Sequence, residues 1–190
     1  QYEFSDSTVG TEADIPGWIG ADVQAWIDAG GTYNRPLNGN YQGSVSSQHN
    51  HTTGGRHAYL SNGGGWGNAI GGLIVSDAPL AAVQAMTTYT LSMMVNGAAT
   101  PAELGLLANG VMLTPTSESS PALVNGQWQP WTRTYDAADL GAVVGQDLTI
   151  QLGVSRGASG SQTRFDDVTL DALTIPEPAS MVLLLFGTLG

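Results

Sequence analysis

Short runs in which apolar and polar residues alternate, each closed off by Gly, Pro, Asn or Asp, constrain this chain more than any other feature. The clearest is residues 88–95, Thr-Tyr-Thr-Leu-Ser-Met-Met-Val, followed at once by the turn dipeptide Asn96-Gly97. A period of two sends successive side chains to opposite faces of a strand, so one face is buried and the other wetted. Related patterns recur over residues 56–60, 69–75, 104–113, 128–135, 148–154 and 164–173. Strands at this spacing, with turn chemistry between them, predict an all-β chain folded as an antiparallel β-sandwich. Residues 78–85 carry a weak helical hint, but Pro79 and the shortness of the segment make them a loop between strands.

Composition agrees with that reading. Glycine supplies 26 of 190 residues, about twice its usual ~7% share, without any period, and Val, Leu, Ile, Thr and Tyr lie between the glycines. The length suits one domain, large enough to bury about 70% of its unfolded surface. Sixteen acidic against five basic residues give a formal charge of -11, and the basic residues are all isolated arginines. Phosphate backbones are bound through arrays of Arg and Lys, so nucleic acid is excluded as a partner and anionic membrane surfaces are poor ones. With no cysteine there is no disulfide framework, thiolate metal site or cysteine nucleophile. The first half is less regular: Gly30-Gly31, Asn38-Gly39-Asn40 and residues 44–55 supply turn chemistry with few apolar residues, and residues 28–55 read as a long surface loop.

The last sixteen residues change character. A Pro-rich hinge, Ile175-Pro176-Glu177-Pro178-Ala179-Ser180, leads into the apolar run Met181-Val182-Leu183-Leu184-Leu185-Phe186-Gly187-Thr188-Leu189. This segment resembles the PEP-CTERM sorting signal of Gram-negative bacteria, without the basic cluster that closes such signals, and the run falls short of the ~20 apolar residues that cross a bilayer. The resemblance implies processing by exosortase during export and a place at the cell surface or in the extracellular matrix. It assigns sorting or assembly roles to Pro176, Glu177, Pro178, Leu183, Leu184, Leu185 and Phe186. The opening Gln1-Tyr2-Glu3-Phe4 reads as an already matured N-terminus. The expected division is therefore a sandwich over residues 1–174 and a sorting segment over residues 175–190.

The body adds a second resemblance, carried by Ile15-Pro16-Gly17-Trp18, His57-Ala58-Tyr59-Leu60, residues 88–92 and Phe165-Asp166-Asp167-Val168-Thr169-Leu170. In that order these are similar to the bodies of exported PEP-CTERM proteins, galactose-binding-like jelly rolls and carbohydrate-binding modules. Asp166-Asp167 is the most informative polar pair, because uninterrupted alternation puts Asp166 on the side of Val168 and Leu170, and an inward carboxylate needs a partner. That partner is either turn amides or Ca²⁺, a hard cation that takes six to eight oxygens. Similarity to the modules implies a structural calcium at Asp166 and Asp167, completed by Glu3 or Asp6.

Sugars are held by flat aromatic faces with polar groups at the rim. Trp66, within a glycine run, and Trp131, after Pro130, read as exposed candidates for binding carbohydrate, with Tyr33 and Tyr41 on the long loop; Trp18 and Trp128 read as core. His49, His51 and His57 fall among Ser, Asn, Thr and Gly and read as ordinary surface histidines rather than metal ligands. Asn50-His51-Thr52 fits a glycosylation sequon, a pattern frequent by chance. No nucleophile elbow, His-Glu-x-x-His helix or phosphate-binding loop occurs. The expectation is a non-catalytic exported protein that binds or is embedded in polysaccharide. The alternative is a self-assembling homo-oligomeric or filament subunit completed by strand or tail exchange.

Overall fold

The computed structural model describes residues 17–20, 57–61, 73–97, 101, 103–124, 126–154 and 162–175. Glu3, Asp6, Tyr33, Tyr41, His49, His51, Trp66 and the segment from Pro176 onward lie outside the described residues. In chain order the strands are β1 (Trp18–Ile19), β2 (Ala58–Ser61), β3 (Leu73–Ser76), β4 (Ala81–Ala82), β5 (Thr87–Gly97), β6 (Gly105–Ala108), β7 (Val111–Met112), β8 (Ser117–Ser119), β9 (Gln129–Tyr135), β10 (Asp147–Gly153) and β11 (Gln162–Thr174). One sheet runs β1-β3-β10-β6-β7, with β4 also on β10, and the other runs β2-β11-β5-β9-β8. Every pairing between these strands is antiparallel.

Without the short edge pieces β1, β4 and β8, the two sheets read β2-β11-β5-β9 and β3-β10-β6-β7. The chain shuttles between them in the order of a jelly roll, and the expected all-β antiparallel sandwich is the observed fold. β5 shows why. Thr87, Tyr89, Leu91, Met93 and Val95 are buried, while Thr88, Thr90, Ser92 and Met94 between them are half-buried. Leu60, Phe165 and Val168 join that inner face, and Ile74, Leu106, Leu148, Ile150 and Leu152 meet it from the opposite sheet in one core.

Two elements depart from the simple alternation. The run over residues 104–113 is a hairpin rather than one strand, because Asn109 and Gly110 both take left-handed backbone, φ 45° and 79°, and Ala108 pairs with Val111 across them. An Asn-Gly pair with both φ positive is the two-residue turn whose twist matches its flanking strands. Residues 78–85 are not all loop, since Ala81–Ala82 pairs with β10.

Trp131 corrects a second expectation. It lies opposite Met93, shares the inward side of β9 with Tyr135, and is 6% exposed. Its ring fills the core and offers no face to a sugar. The preceding Pro130 suggested exposure, but strand parity decides the matter: Pro130 takes the outward side and Trp131 the inward one.

Candidate active site

A bulge in β11 builds the site. Phe165 pairs with Val95 and Asp166 with Met94, but the next pair along β5, Ser92, meets Thr169. Three steps on β11 thus match two on β5, so one extra residue is accommodated. Asp167 takes it up with φ 49°, a left-handed conformation that Asp tolerates better than most side chains. The consequence is a change of side. Phe165 and Val168 are both fully buried in the core, although an uninterrupted strand would put them on opposite faces. Asp166 therefore points away from Val168 and Leu170, onto the outer face of its sheet, contrary to the expectation from alternation.

That outer face is covered at this end. Asp166 is 1% exposed, His57 is 1% exposed and Asn96 is fully buried, although all three sit on the side of the sheet away from the core. β2 pairs with β11 through Ala58 and Phe165, and one further step of that register brings His57 alongside Asp166. Asn96, at the end of β5, pairs with Arg164. Its Oδ1 accepts a hydrogen bond from the Gly126 N–H at 2.9 Å, which ties the 120–128 loop across the sheet. Trp128, at the end of that loop, meets the His57 imidazole edge to face, with ring centroids 5.8 Å apart and planes at 68°. His57 is thus no surface histidine and Trp128 no part of the sandwich core: together they form an aromatic wall beside a carboxyl withdrawn from water.

Asp166 is the one buried acid among the described residues. Its Oδ1 accepts from the Asp167 N–H at 2.9 Å, so the bulge that re-aims the side chain also holds it. Asp167 itself is half-buried. Among the described residues no three His, Asp or Glu side chains gather closely enough to hold a metal ion. Of the four residues expected to bind calcium, Asp166 and Asp167 are neighbours at the bulge, while Glu3 and Asp6 lie outside the described residues. Sequence reasoning missed His57, Asn96 and Trp128. The available signal was parity, since Ala58 and Leu60 inside put His57 outside.

A separate apolar cavity of about 520 Å³ lies at the other end of the sandwich, walled by Met86, Ala137, Ala138, Val144 and Ile175 among others. Seven residue steps along β5 lead from Met94, beside Asp166, to Thr87 next to Met86, or about 24 Å at ~3.4 Å per residue.

A jelly roll that shields one carboxyl and an aromatic wall on the outer side of a sheet has the makings of a small-molecule site rather than of a matrix scaffold. The chain belongs to the HpiC1-like family, HpiC1 cyclase, whose description matches residues 2–171. Three solved structures share the fold. A cyclase from Fischerella sp. TAU is 20% identical with TM-score 0.61. A cyclase from Fischerella sp. TAU in complex with 4-(1H-indol-3-yl)butan-2-one is 19% identical with TM-score 0.57. The Stig cyclase Fisc from Fischerella sp. TAU, in complex with (3Z)-3-(1-methyl-2-pyrrolidinylidene)-3H-indole, is 24% identical with TM-score 0.56. In each comparison 90% of this chain and 90% of the other is covered. Among curated proteins none matches the sequence.

Family membership overturns the PEP-CTERM and carbohydrate-binding assignment, and with it the non-catalytic matrix protein and the filament subunit. The landmarks from Ile15 to Leu173 fall almost entirely within the matched stretch. They are strand and turn landmarks of a jelly roll, which many unrelated functions share, so they carried the fold without the activity. The lack of a nucleophile or metal motif likewise did not argue against catalysis, because general acid–base catalysis by a positioned side chain needs neither.

Proposed function

We propose that this chain is a cyclase that closes a ring in a small, largely apolar aromatic substrate by proton transfer, with Asp166 as the acid. The observation that carries the reading is the placement of Asp166: a carboxyl re-aimed by a bulge onto a covered face, beside Trp128 and His57. The family supports the reaction class, and the indole-bearing ligands of two structures of the same fold support the substrate class. In the proposed step the carboxyl gives its proton to a basic atom or double bond of the substrate. A neighbouring π bond attacks the resulting cation to form the ring, and a proton lost from the product restores the acid. The sequence is an isomerisation that balances without a redox cofactor. A site out of bulk water keeps the cation from being trapped by hydroxide or water.

The test is Asp166→Asn, which keeps shape and removes the transferable proton. Turnover of indoles carrying an unsaturated side chain should fall about 10²- to 10⁴-fold, the range of general acid catalysis, with the circular dichroism spectrum unchanged. Undiminished turnover would end the proposal.

The bulge also favours a second reading, in which Asp166 and bulge carbonyls contribute to a calcium site completed by Glu3 or Asp6. Carboxylate and backbone oxygens are the donors that Ca²⁺ takes, and a bulge frees carbonyls from the ladder. A calcium-bound carboxylate is no proton donor, so the readings exclude each other. If calcium raises the melting temperature of the parent but not of Asp166→Asn, the second holds; if neither responds and turnover is lost, the first does.

A further inference from the structure

We propose that the Asn96 carboxamide is the hydrogen-bond donor that orients the substrate, its Nδ2 holding an acceptor oxygen or nitrogen of the ligand while Asp166 acts on it. The inference rests on the proposed function and narrows the substrate to an apolar aromatic molecule that carries such an acceptor. Asn96 is fully buried, yet its Nδ2 has no hydrogen-bond partner among the described residues. The orientation of the amide is fixed, because Oδ1 accepts from the Gly126 N–H at 2.9 Å and a flipped group would set its own NH2 against that donor. Buried polar groups in folded proteins are almost always paired, and an unpaired one costs stability until an arriving acceptor satisfies it.

The donor also stands where a ligand of Asp166 would meet it. Asn96 pairs with Arg164 and Met94 with Asp166, so Asn96 and Asp166 are diagonal neighbours on the outer face of their sheet, roughly 7–8 Å apart. Half-buried Met94 adjoins both and supplies an apolar floor. One step of the β5–β9 register beyond Val95 and Gln129 brings Trp128 alongside Asn96. Donor, acid and aromatic wall thus bracket a stretch of sheet that one small molecule spans, with its ring on Trp128, its acceptor on Nδ2 and its reacting atom at the carboxyl. Nδ2 is closed to solvent, so a ligand reaches it when the 120–128 loop lifts. That loop is fastened through the same carboxamide and turns on itself through the Gln127 N–H and the Val124 carbonyl at 3.0 Å. Closing over a bound acceptor satisfies the donor that the empty site leaves unpaired, which favours the loaded site.

Two matched ligands test this: indole-3-acetone, which carries a ketone oxygen, and 3-propylindole, which has the same length without it. Isothermal titration calorimetry on the full chain should show the ketone binding about five- to tenfold tighter, the worth of one hydrogen bond in a buried site. Asn96→Asp keeps the acceptor for the Gly126 N–H and puts an oxygen where Nδ2 stood, so the ratio of the two affinities should fall to one or below. Asn96→Ala removes the loop's fastening as well; it should weaken both ligands and again bring the ratio to one. A merely structural Asn96 would shift both affinities together and leave the ratio of the parent. A parent ratio of one, or a parent-like ratio in either variant, would overturn the proposal while leaving the role of Asp166 to its own turnover test. If the parent binds neither compound, the indole substrate class falls and this proposal with it.

Discussion

The hydroxyl of Tyr135 accepts a hydrogen bond from the backbone N–H of Leu106 at 3.1 Å, joining β9 of one sheet to β6 of the other through the core. Both residues are fully buried, so neither group can turn to water instead. Tyr135→Phe keeps the ring and strands the Leu106 N–H. A buried donor left without its acceptor costs about 1–3 kcal/mol, and for a chain of this size that is a fall of roughly 2–4 °C in melting temperature per kcal/mol. Thermal unfolding followed by circular dichroism measures it; an unchanged midpoint would show that the inter-sheet bond contributes nothing.

The same hydroxyl makes stability depend on pH at the alkaline end. Burial pushes the Tyr135 phenol above its ordinary value of 10.0, while the Leu106 N–H and the charge of Arg133 pull the other way. Because the folded value is raised, the contribution is fully present below about pH 10 and is lost as pH rises toward the folded value. Denaturant midpoints recorded from pH 8 to 11 should therefore decline above about pH 10 in the parent. Tyr135→Phe should show a shallower decline there, and parallel curves would refute the assignment.

Gly105 lies directly beneath this contact. Its φ is 151°, and a β-carbon added to it would lie 2.5 Å from the Tyr135 oxygen and 3.1 Å from the Met112 sulfur. Gly105→Ala must displace the hydroxyl and adopt a backbone conformation that L side chains rarely take. The expected loss is about 1–3 kcal/mol, the usual range for overpacking a core. Combined with Tyr135→Phe the loss should be less than the sum of the two, because the ring without its oxygen leaves room; strict additivity in urea titrations would contradict the shared contact.

The strands were legible because most of them alternate cleanly. Residues 128–135 and 148–154 match β9 and β10 to within a residue at either end, as the inner residues Tyr135, Leu148, Ile150 and Leu152 recur every second position. The hairpin at Asn109-Gly110 carries a turn dipeptide, but it lies inside a longer apolar run that fits a single strand as well. The site was harder to see. Its geometry turns on one inserted residue at Asp167, and Phe-Asp-Asp-Val fits a straight strand as well as a bulged one until the partner register is known. His57, Asn96 and Trp128 are separated by 71 positions in sequence and meet only because β2, β5 and the 120–128 loop share one end of a sheet. The catalytic family was not legible at all, since jelly-roll landmarks are common to binders and enzymes.

Asn96 holds the loop that carries Trp128. Asn96→Ala removes the acceptor for the Gly126 N–H and loosens the loop's attachment while leaving the core strands in place. The stability change should be about 1 kcal/mol, near the net worth of one hydrogen bond. If the proposed function holds, binding of an indole ligand, followed by quenching of tryptophan fluorescence, should weaken severalfold more than that modest loss of stability alone explains. Equal affinity in the variant would place the aromatic ligand elsewhere.

Asp167 decides which way Asp166 faces, and two substitutions separate its backbone role from its charge. Asp167→Gly accepts φ 49° without the steric penalty of a β-carbon, so the bulge is kept and Asp166 stays on the outer face. Left-handed backbone costs an L residue roughly 1–2 kcal/mol relative to glycine's freedom, offset by the larger entropy that glycine loses on folding. The variant should thus keep the bulge and retain turnover, with its stability lowered only by the loss of the Asp167 residue's own interactions. Asp167→Val keeps a side chain of similar size but adds β-branching, which resists φ above zero. That strand can relax only by removing the bulge, and doing so would push either Asp166 into the core or Val168 out of it. A loss of more than about 2 kcal/mol, combining backbone strain with a misplaced core residue, is expected together with loss of turnover. If Asp167→Val is as stable and active as Asp167→Gly, the bulge is not what positions the acid.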